Sequence, residues 1–239
     1  HSKFISTSKS AVDISHSILV GRPYGGTAIL YRKELSNCIS LVETYDPRIC
    51  ALRFLSNIGP ILFVCVYMPA DTGDAECFEN YIDTCAKISA LYTDSDAVHL
   101  VVAGDFNCQV GSRFYDVFLS LAEENNLHLA DIMRLNNVFT YCSDDGLRSS
   151  WLDHCLCSNG MNELISNIDV LVNFVTSDHK PIQVAFNRLH GIELVQATQV
   201  KTSRDVFYDW SKADASCLQL YVSVLSECLN NVDIPVHIL

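Results

Sequence analysis

Val98-His99-Leu100-Val101-Val102-Ala103-Gly104-Asp105-Phe106-Asn107 is the stretch whose reading decides the fold. Its first six residues form a short, mostly apolar run, which predicts a buried β-strand. The run stops at Gly104, and Asp105 and Asn107 follow two apart. A strand that ends this way sets a carboxylate and an amide on the rim of a sheet. Such a pair can hold a water or a metal-bound oxygen beside a phosphate. Far downstream, Ser177-Asp178-His179 precedes a second strand-like run, Pro181 to Phe186. Two strand ends therefore bring an Asp-Asn pair and an Asp-His pair, the raw parts of a metal-dependent phosphoesterase.

Working outward, Ile61 to Met68 is the strongest buried strand in the chain. Arg48 to Leu55 precedes it, and Asn57-Ile58-Gly59-Pro60 supplies the turn of a hairpin. His16 to Val20 reads as a strand running into the Gly/Pro turn Gly21-Arg22-Pro23-Tyr24-Gly25-Gly26. Thr27 to Tyr31 and Ile39 to Val42 read as a strand pair. Helical spacing over Glu76 to Tyr92 puts Phe78, Ile82, Cys85, Ile88 and Leu91 on one face. A second helix is expected over Tyr115 to Asn125, with Val117, Phe118 and Leu121 inward. Val138 to Tyr141, Ser150 to Cys157, Ile168 to Asn173 and Pro181 to Phe186 read as four more strands. Hairpins first, then strands alternating with helices, imply a four-layer α/β/β/α sandwich: two mixed β-sheets flanked by helices.

Composition sets bounds. The 239 residues fit one large domain, or one domain and a tail. A hydrophobic content of 49% with 18% charged residues describes a chain with a core. The longest strongly apolar run, Ile61 to Val66, is far too short to span a bilayer, so no membrane partner is expected. Eleven cysteines are scattered without a C-x₂-C pair. Cys65, Cys155 and Cys157 lie in apolar runs and read as core residues in a reducing compartment. His154, Cys155 and Cys157 on one strand cannot close a tetrahedral metal site. The net charge of −12 opposes contact with nucleic acid. Half of it is local: seven acids between Asp71 and Asp96 stand against Lys87 alone, giving −6 on what reads as a solvated helix face.

The ordered set Gly25-Gly26-Thr27-Ala28-Ile29-Leu30, Val66-Tyr67-Met68-Pro69, Gly104-Asp105-Phe106-Asn107, Ser150-Trp151-Leu152-Asp153-His154 and Ser177-Asp178-His179-Lys180-Pro181 resembles the endonuclease/exonuclease/phosphatase superfamily. Within it, the set is most similar to the apurinic-type endonuclease domain of non-LTR retrotransposons. The likeness covers residues 16 to 187. It implies a domain over 1–187; the polar run 188–204 reads as a linker, and the helical spacing of Trp210, Ala213, Cys217, Leu220, Tyr221, Val224 and Cys228 predicts a helical segment over 205–239, which the resemblance would lead toward a reverse-transcriptase domain in cis. It also implies Mg²⁺, or Mn²⁺, as cofactor, DNA as partner, a nuclear and non-secreted protein, and nicking of target DNA as the activity.

The resemblance implies roles for single residues. Asp105 orients or deprotonates the attacking water, and Asn107 contacts the phosphate. Asp153 orients His179, whose protonated ring stabilises charge on the phosphoryl oxygens. Tyr67 donates its hydroxyl to the scissile phosphate. Asp178 helps organise metal or water, and Thr140, Ser150 and Ser177 contact phosphate or support the site. His154, one residue beyond Asp153, alternates to the opposite face and reads as structural. The family's metal-binding Glu and an earlier Asn precede the Gly-Arg-Pro-Tyr-Gly-Gly element. Glu34, Glu43 and Asp13 do not fit them, and the chain reads as N-terminally truncated. Two alternatives follow: a catalytically dead remnant acting as a binding module, and a phosphatase of the same superfamily.

Overall fold

The strand and helix patterning resolves, among the described residues, into twelve strands, three α-helices and one 3₁₀ helix. The computed structural model describes residues 3–10, 26–143, 145–173 and 177–191, all within one unit, His1–Leu194. In chain order these are β1 (Phe4–Lys9), β2 (Thr27–Arg32), the 3₁₀ helix Lys33–Cys38, β3 (Ile39–Val42), β4 (Ile49–Ser56) and β5 (Gly59–Tyr67). Then follow α1 (Ala75–Asp94), β6 (His99–Asp105), α2 (Arg113–Glu124), β7 (Leu127–Leu129), β8 (Tyr141–Cys142) and β9 (Ser149–Ser150). The last are β10 (Asp153–Ser158), α3 (Asn159–Leu164), β11 (Ile165–Val170) and β12 (Ile182–Phe186).

A six-stranded mixed sheet, in the order β3-β4-β5-β6-β10-β7, carries the architecture. β4 and β5 form the expected hairpin around Asn57–Pro60, with Ser56 opposite Gly59. β5 and β6 run parallel, so the chain must cross over between them, and α1 makes the crossover. Asp74 caps α1 by accepting the Cys77 N–H at 2.7 Å. β10 returns antiparallel to β6.

Alternation along these strands builds two cores. Leu62, Val64, Val66, Leu100, Val102 and Leu156 face α1 and α2, where Tyr81, Ile88, Phe114 and Phe118 close the layer. Ile61, Val101, Cys155 and Cys157 face the other way, against Ile29 and Tyr31 of β2 and Ile182, Val184 and Phe186 of β12. The second strand layer consists of two separate ladders, β1-β2 and β11-β12. The fold is thus a mixed α/β arrangement with a helix layer, a six-stranded sheet and a layer of strand pairs among the described residues. No described helix is long and apolar enough to cross a membrane.

Several expectations are corrected. Thr27–Arg32 pairs with Phe4–Lys9, not with Ile39–Val42, which pairs with β4. In α1, Phe78, Cys85, Ile88 and Leu91 face the core as expected, but Ile82 is exposed and Tyr81 and Thr84 are buried in its place. The run Ser150 to Cys157 is broken into β9 and β10. The expected strand at 16–20, the turn at 21–25, the helical segment at 205–239 and all of the linker past 191 lie outside the described residues.

Candidate active site

The topology gathers the chemistry at one edge of the large sheet. Parallel strands end on the same edge, so Tyr67 at the end of β5 lies in register with Asp105 at the end of β6. The antiparallel β10 begins on that edge, and Asp153 lies in register with Asp105. Three of the expected residues therefore form one row across three neighbouring strands, although 86 positions separate the first from the last. In-register residues point to the same face. His154, one step along, points to the other and is buried there, as its alternation implied.

Gly104 makes the row possible. Its φ of 147° is a conformation that side chains rarely adopt, and a Cβ at this position would collide with the Val66 carbonyl of β5. The backbone then turns sharply. Met68 N–H donates to the Asp105 carbonyl at 2.8 Å and Phe106 N–H to the Leu152 carbonyl at 2.9 Å, so the ladder continues past the strand ends. Asn107 sits at φ 47°, which Asn tolerates because its short amide bonds locally. Its backbone N–H donates to Asp105 Oδ1 at 2.9 Å, and its side-chain Nδ2 donates to the Met68 carbonyl at 2.9 Å. The amide thus pins the β5 and β6 ends together.

His179 enters from the segment ahead of β12. A bridge to Tyr141 and the Cys142 N–H to Asp178 carbonyl bond of 2.9 Å hold that segment against β8. His179 Nδ1 lies 2.8 Å from Asp153 Oδ2, and Nε2 lies 3.9 Å from Asp105 Oδ2. The Tyr141 ring packs beside the imidazole at 5.2 Å between centroids. One imidazole thus stands between two carboxyl groups at the sheet edge, partly open to solvent.

The electrostatics follow from this arrangement. Burial, then the neighbouring Asp153 charge, pushes the Asp105 carboxyl up to about 6; the Asn107 N–H, His179 and His154 pull in the opposite direction. The hydrogen bond to Asp153 raises the His179 pKa above its ordinary value, with the charges of Asp153, Asp105 and Asp178 adding and burial opposing. A base near neutrality thus lies beside an imidazole biased toward its cation.

The remaining expected residues are placed around this centre. Thr140 is fully buried, and its Oγ1 accepts the N–H groups of both Leu152 and Asp153 at 3.0 Å. Those two bonds end the β9 run and start β10 at Asp153. With its hydroxyl committed there, Thr140 supports the site from behind. The Ser150 carbonyl accepts the Thr140 N–H at 3.0 Å. Ser177 Oγ accepts the His179 N–H at 3.1 Å and shapes the turn, donating to Asp178 Oδ1 at 3.3 Å. Tyr67 is half-buried, and the Arg48 guanidinium stacks over its ring at 5.4 Å. Arg48 Nη1 also donates to the Tyr67 carbonyl at 3.1 Å. No local pattern in the sequence marks Arg48.

Among the described residues, no group of three or more His, Cys, Asp and Glu side chains is placed to hold a metal ion. Asp105, Asp153 and Asp178 offer oxygens, but they do not converge as a ligand set.

A family model described as endonuclease-reverse transcriptase matches residues 61–183. Solved structures share the fold. The endonuclease domain of TRAS1, a telomere-specific non-LTR retrotransposon, is 14% identical with a TM-score of 0.58, covering 78% of this chain and 81% of that one. The AP endonuclease of Leishmania major is 13% identical with a TM-score of 0.57, covering 76% of this chain and 70% of that one. A 3′ phosphatase from Neisseria, bound to a product DNA hairpin, is 15% identical with a TM-score of 0.55, covering 77% of this chain and 89% of that one. A search of curated proteins found no match.

Proposed function

The chain belongs to the endonuclease-reverse transcriptase family of the endonuclease/exonuclease/phosphatase superfamily, and from that premise we propose that it is a phosphodiesterase that nicks DNA, as in target-site cleavage by a retrotransposon. The observation that carries the reading is the Asp153–His179 contact of 2.8 Å with the far ring nitrogen 3.9 Å from Asp105.

The chemistry runs on these residues. Asp105 accepts a proton from the attacking water, and a carboxyl near 6 is mostly ionised at neutral pH yet basic enough to help. Asp153 fixes the ring orientation of His179. The 3.9 Å between Nε2 and Asp105 is too long for a direct hydrogen bond, and an oxygen beside the two groups can bridge them from the side. A phosphoryl oxygen there would meet the imidazolium, which stabilises charge gathering in the transition state. Asn107 and Tyr67 flank the same edge and would grip the phosphate. Ser177 and Thr140 hold the backbone of His179 and Asp153.

The superfamily's Mg²⁺ finds no three-ligand group among the described residues, so no step is assigned to a cation. Asp178 is the acidic side chain left for such a role, its contact being to Ser177 alone among the bonds described. DNA is the expected partner, and a reverse-transcriptase domain in cis goes with the family reading. The net charge of −12 implies that affinity comes from contacts at this edge and not from the field of the whole protein. A phosphatase reading is favoured by one observation, the likeness to the Neisseria 3′ phosphatase.

A nicking assay on supercoiled plasmid in Mg²⁺ buffer tests the proposal, with Asp105→Ala and His179→Ala beside the native chain. Each variant is expected to lose about 10²- to 10⁴-fold of activity. Equal rates in all three would reject the roles. Release of phosphate from a 3′-phosphorylated oligonucleotide, without nicking, would select the phosphatase.

A further inference from the structure

A second His–Asp pair lies behind the rim, and the proposed chemistry does not use it. His154 and Asp131 have no side-chain exposure. His154 Nδ1 is 2.8 Å from Asp131 Oδ2, and Nε2 is 2.9 Å from the Cys108 carbonyl. A carbonyl oxygen only accepts, so Nε2 must carry a proton. Asp131 Oδ1 accepts the Cys155 N–H at 3.0 Å, so both carboxyl oxygens are engaged. Two acceptors on the two ring nitrogens suit an imidazolium. Phe106 and Phe118 enclose the ring at 6.0 and 4.9 Å between centroids, and Trp151 stacks at 6.0 Å.

Chain position joins this pair to the site. His154 directly follows Asp153 in β10, and Cys108 directly follows Asn107. One N–H to carbonyl bond therefore ties the strand that carries Asp153 to the turn that carries Asp105 and Asn107. It does so on the face of the sheet opposite His179. Cys108 from the turn and Asp131 from the segment after β7 face His154 directly; Tyr115 of α2 lies near those two groups, and the Asp105 charge acts on the ring from the other face of the sheet.

From this geometry we infer that His154, kept doubly protonated by Asp131, is a positioning residue. Its Nε2–H clamps the Cys108 carbonyl and so sets Asp105 and Asn107 against Asp153. The inference rests on the nuclease reading for its purpose, but its measurements stand apart from catalysis. Its charge also lies near Asp105 and opposes the rise of that carboxyl, which burial and Asp153 drive.

The experiment is NMR on the full chain. In the native protein both ring nitrogens of His154 are expected to carry protons at pH 7 and to keep them at pH 8. A neutral ring at pH 7 overturns the inference. In His154→Gln the Asp105 carboxyl carbon is expected to titrate about half a pH unit higher or more, with the Asn107 amide shifted. In a folded variant, an unmoved Asp105 midpoint with an unmoved Asn107 amide overturns it in favour of a packing histidine. Asp131→Asn keeps the shape of the pair and is expected to leave His154 neutral at pH 7, with Asp105 again moved upward. If His154→Gln does not fold, that variant and the native ring spectrum carry the test. The acid limb of the nicking profile should move with Asp105 while KM stays. Absence of nicking by the native chain would remove the nuclease reading and leave the ring and carboxyl results to decide the clamp.

Discussion

Two His–Asp pairs flank one strand, and their environments divide the work between them. Asp153 and His179 meet on the open face of β10 at 2.8 Å, with side chains 20% and 31% exposed. Asp131 and His154 meet on its helix-covered face at the same distance, with no exposure. The chemical parts are identical, so the difference lies in solvent. The open pair can exchange protons with solvent, and under the proposed function it meets a substrate oxygen beside Nε2 and Asp105. The closed pair can do neither, and holds backbone instead: the Cys108 carbonyl and the Cys155 N–H. A pairing motif alone does not separate the two His–Asp pairs; the face of the strand on which each lies does.

The largest expected effect breaks the closed pair. Asp131→Ala leaves an enclosed imidazolium without its partner, and should cost about 3–5 kcal/mol of stability by urea denaturation. Asp153→Ala, on the open face, should cost about 1 kcal/mol or less, because water replaces the lost partner. Equal losses would erase the distinction drawn between the two faces.

Next comes the strained base beside the open pair. A carboxyl moved from its ordinary 3.8 to about 6 is disfavoured as an anion in the folded state. Removing the charge with Asp105→Asn should therefore stabilise the protein at pH 7.5 by up to about 3 kcal/mol, since each unit is worth about 1.4 kcal/mol. The same variant should lose nicking activity. A less stable Asp105→Asn would mean that the carboxylate is supported in the fold and not held against its preference.

A smaller effect sharpens the comparison within the open pair. Asp153→Asn keeps the shape but weakens the bias toward imidazolium. Activity should fall by about 10²-fold, equivalent to about 2.7 kcal/mol of barrier, with the melting temperature nearly unchanged. A fall in melting temperature matching the fall in rate would make Asp153 a structural residue like Asp131.

How much of this was legible in the sequence depends on whether the deciding interaction is local. The β4–β5 hairpin was readable because its turn, Asn57–Pro60, is local, and β6 because six residues of apolar run end at a glycine. Their consequence, the row Tyr67, Asp105 and Asp153, needed only the crossover rule and the return of β10. The pairing of β2 failed because its partner residues in β1 lie 18 to 28 positions upstream, while a 3₁₀ helix separates it from β3. In α1 the expected inward face holds at Phe78, Cys85, Ile88 and Leu91, and Ile82 alone is misplaced, its inward place being taken by Tyr81. Tyr81 turns inward because its hydroxyl donates to the Phe106 carbonyl at 3.0 Å, a long-range bond that periodicity does not encode. The break before β10 was likewise invisible, since it depends on the Thr140 hydroxyl taking two backbone N–H groups. Alternation placed His154 correctly on the far face, but nothing near Asp131 announces its partner 23 positions on.

The smallest effects lie in how stability changes with pH, where the two faces have separate windows. The Asp105 carboxyl holds its proton to higher pH when folded than when unfolded, so its contribution is fully favourable below 3.8 and is lost as pH rises through about 6. His154 is opposed by burial, but its bonds to Asp131 and Cys108 prevail and raise it from 6.5 to about 10. Its contribution is fully present below 6.5 and is lost as pH rises through about 10. The difference in melting temperature between each variant and the native chain isolates these terms from the other carboxylates. For Asp105→Asn the difference should grow between pH 4 and 6 and then stay level. For Asp131→Asn the native advantage should be steady to pH 7 and shrink toward pH 10, because only the native chain still has that proton to lose. Both differences changing in one shared window would mean that the two faces of β10 titrate as a single network, and the separation of labour between its two His–Asp pairs would not hold.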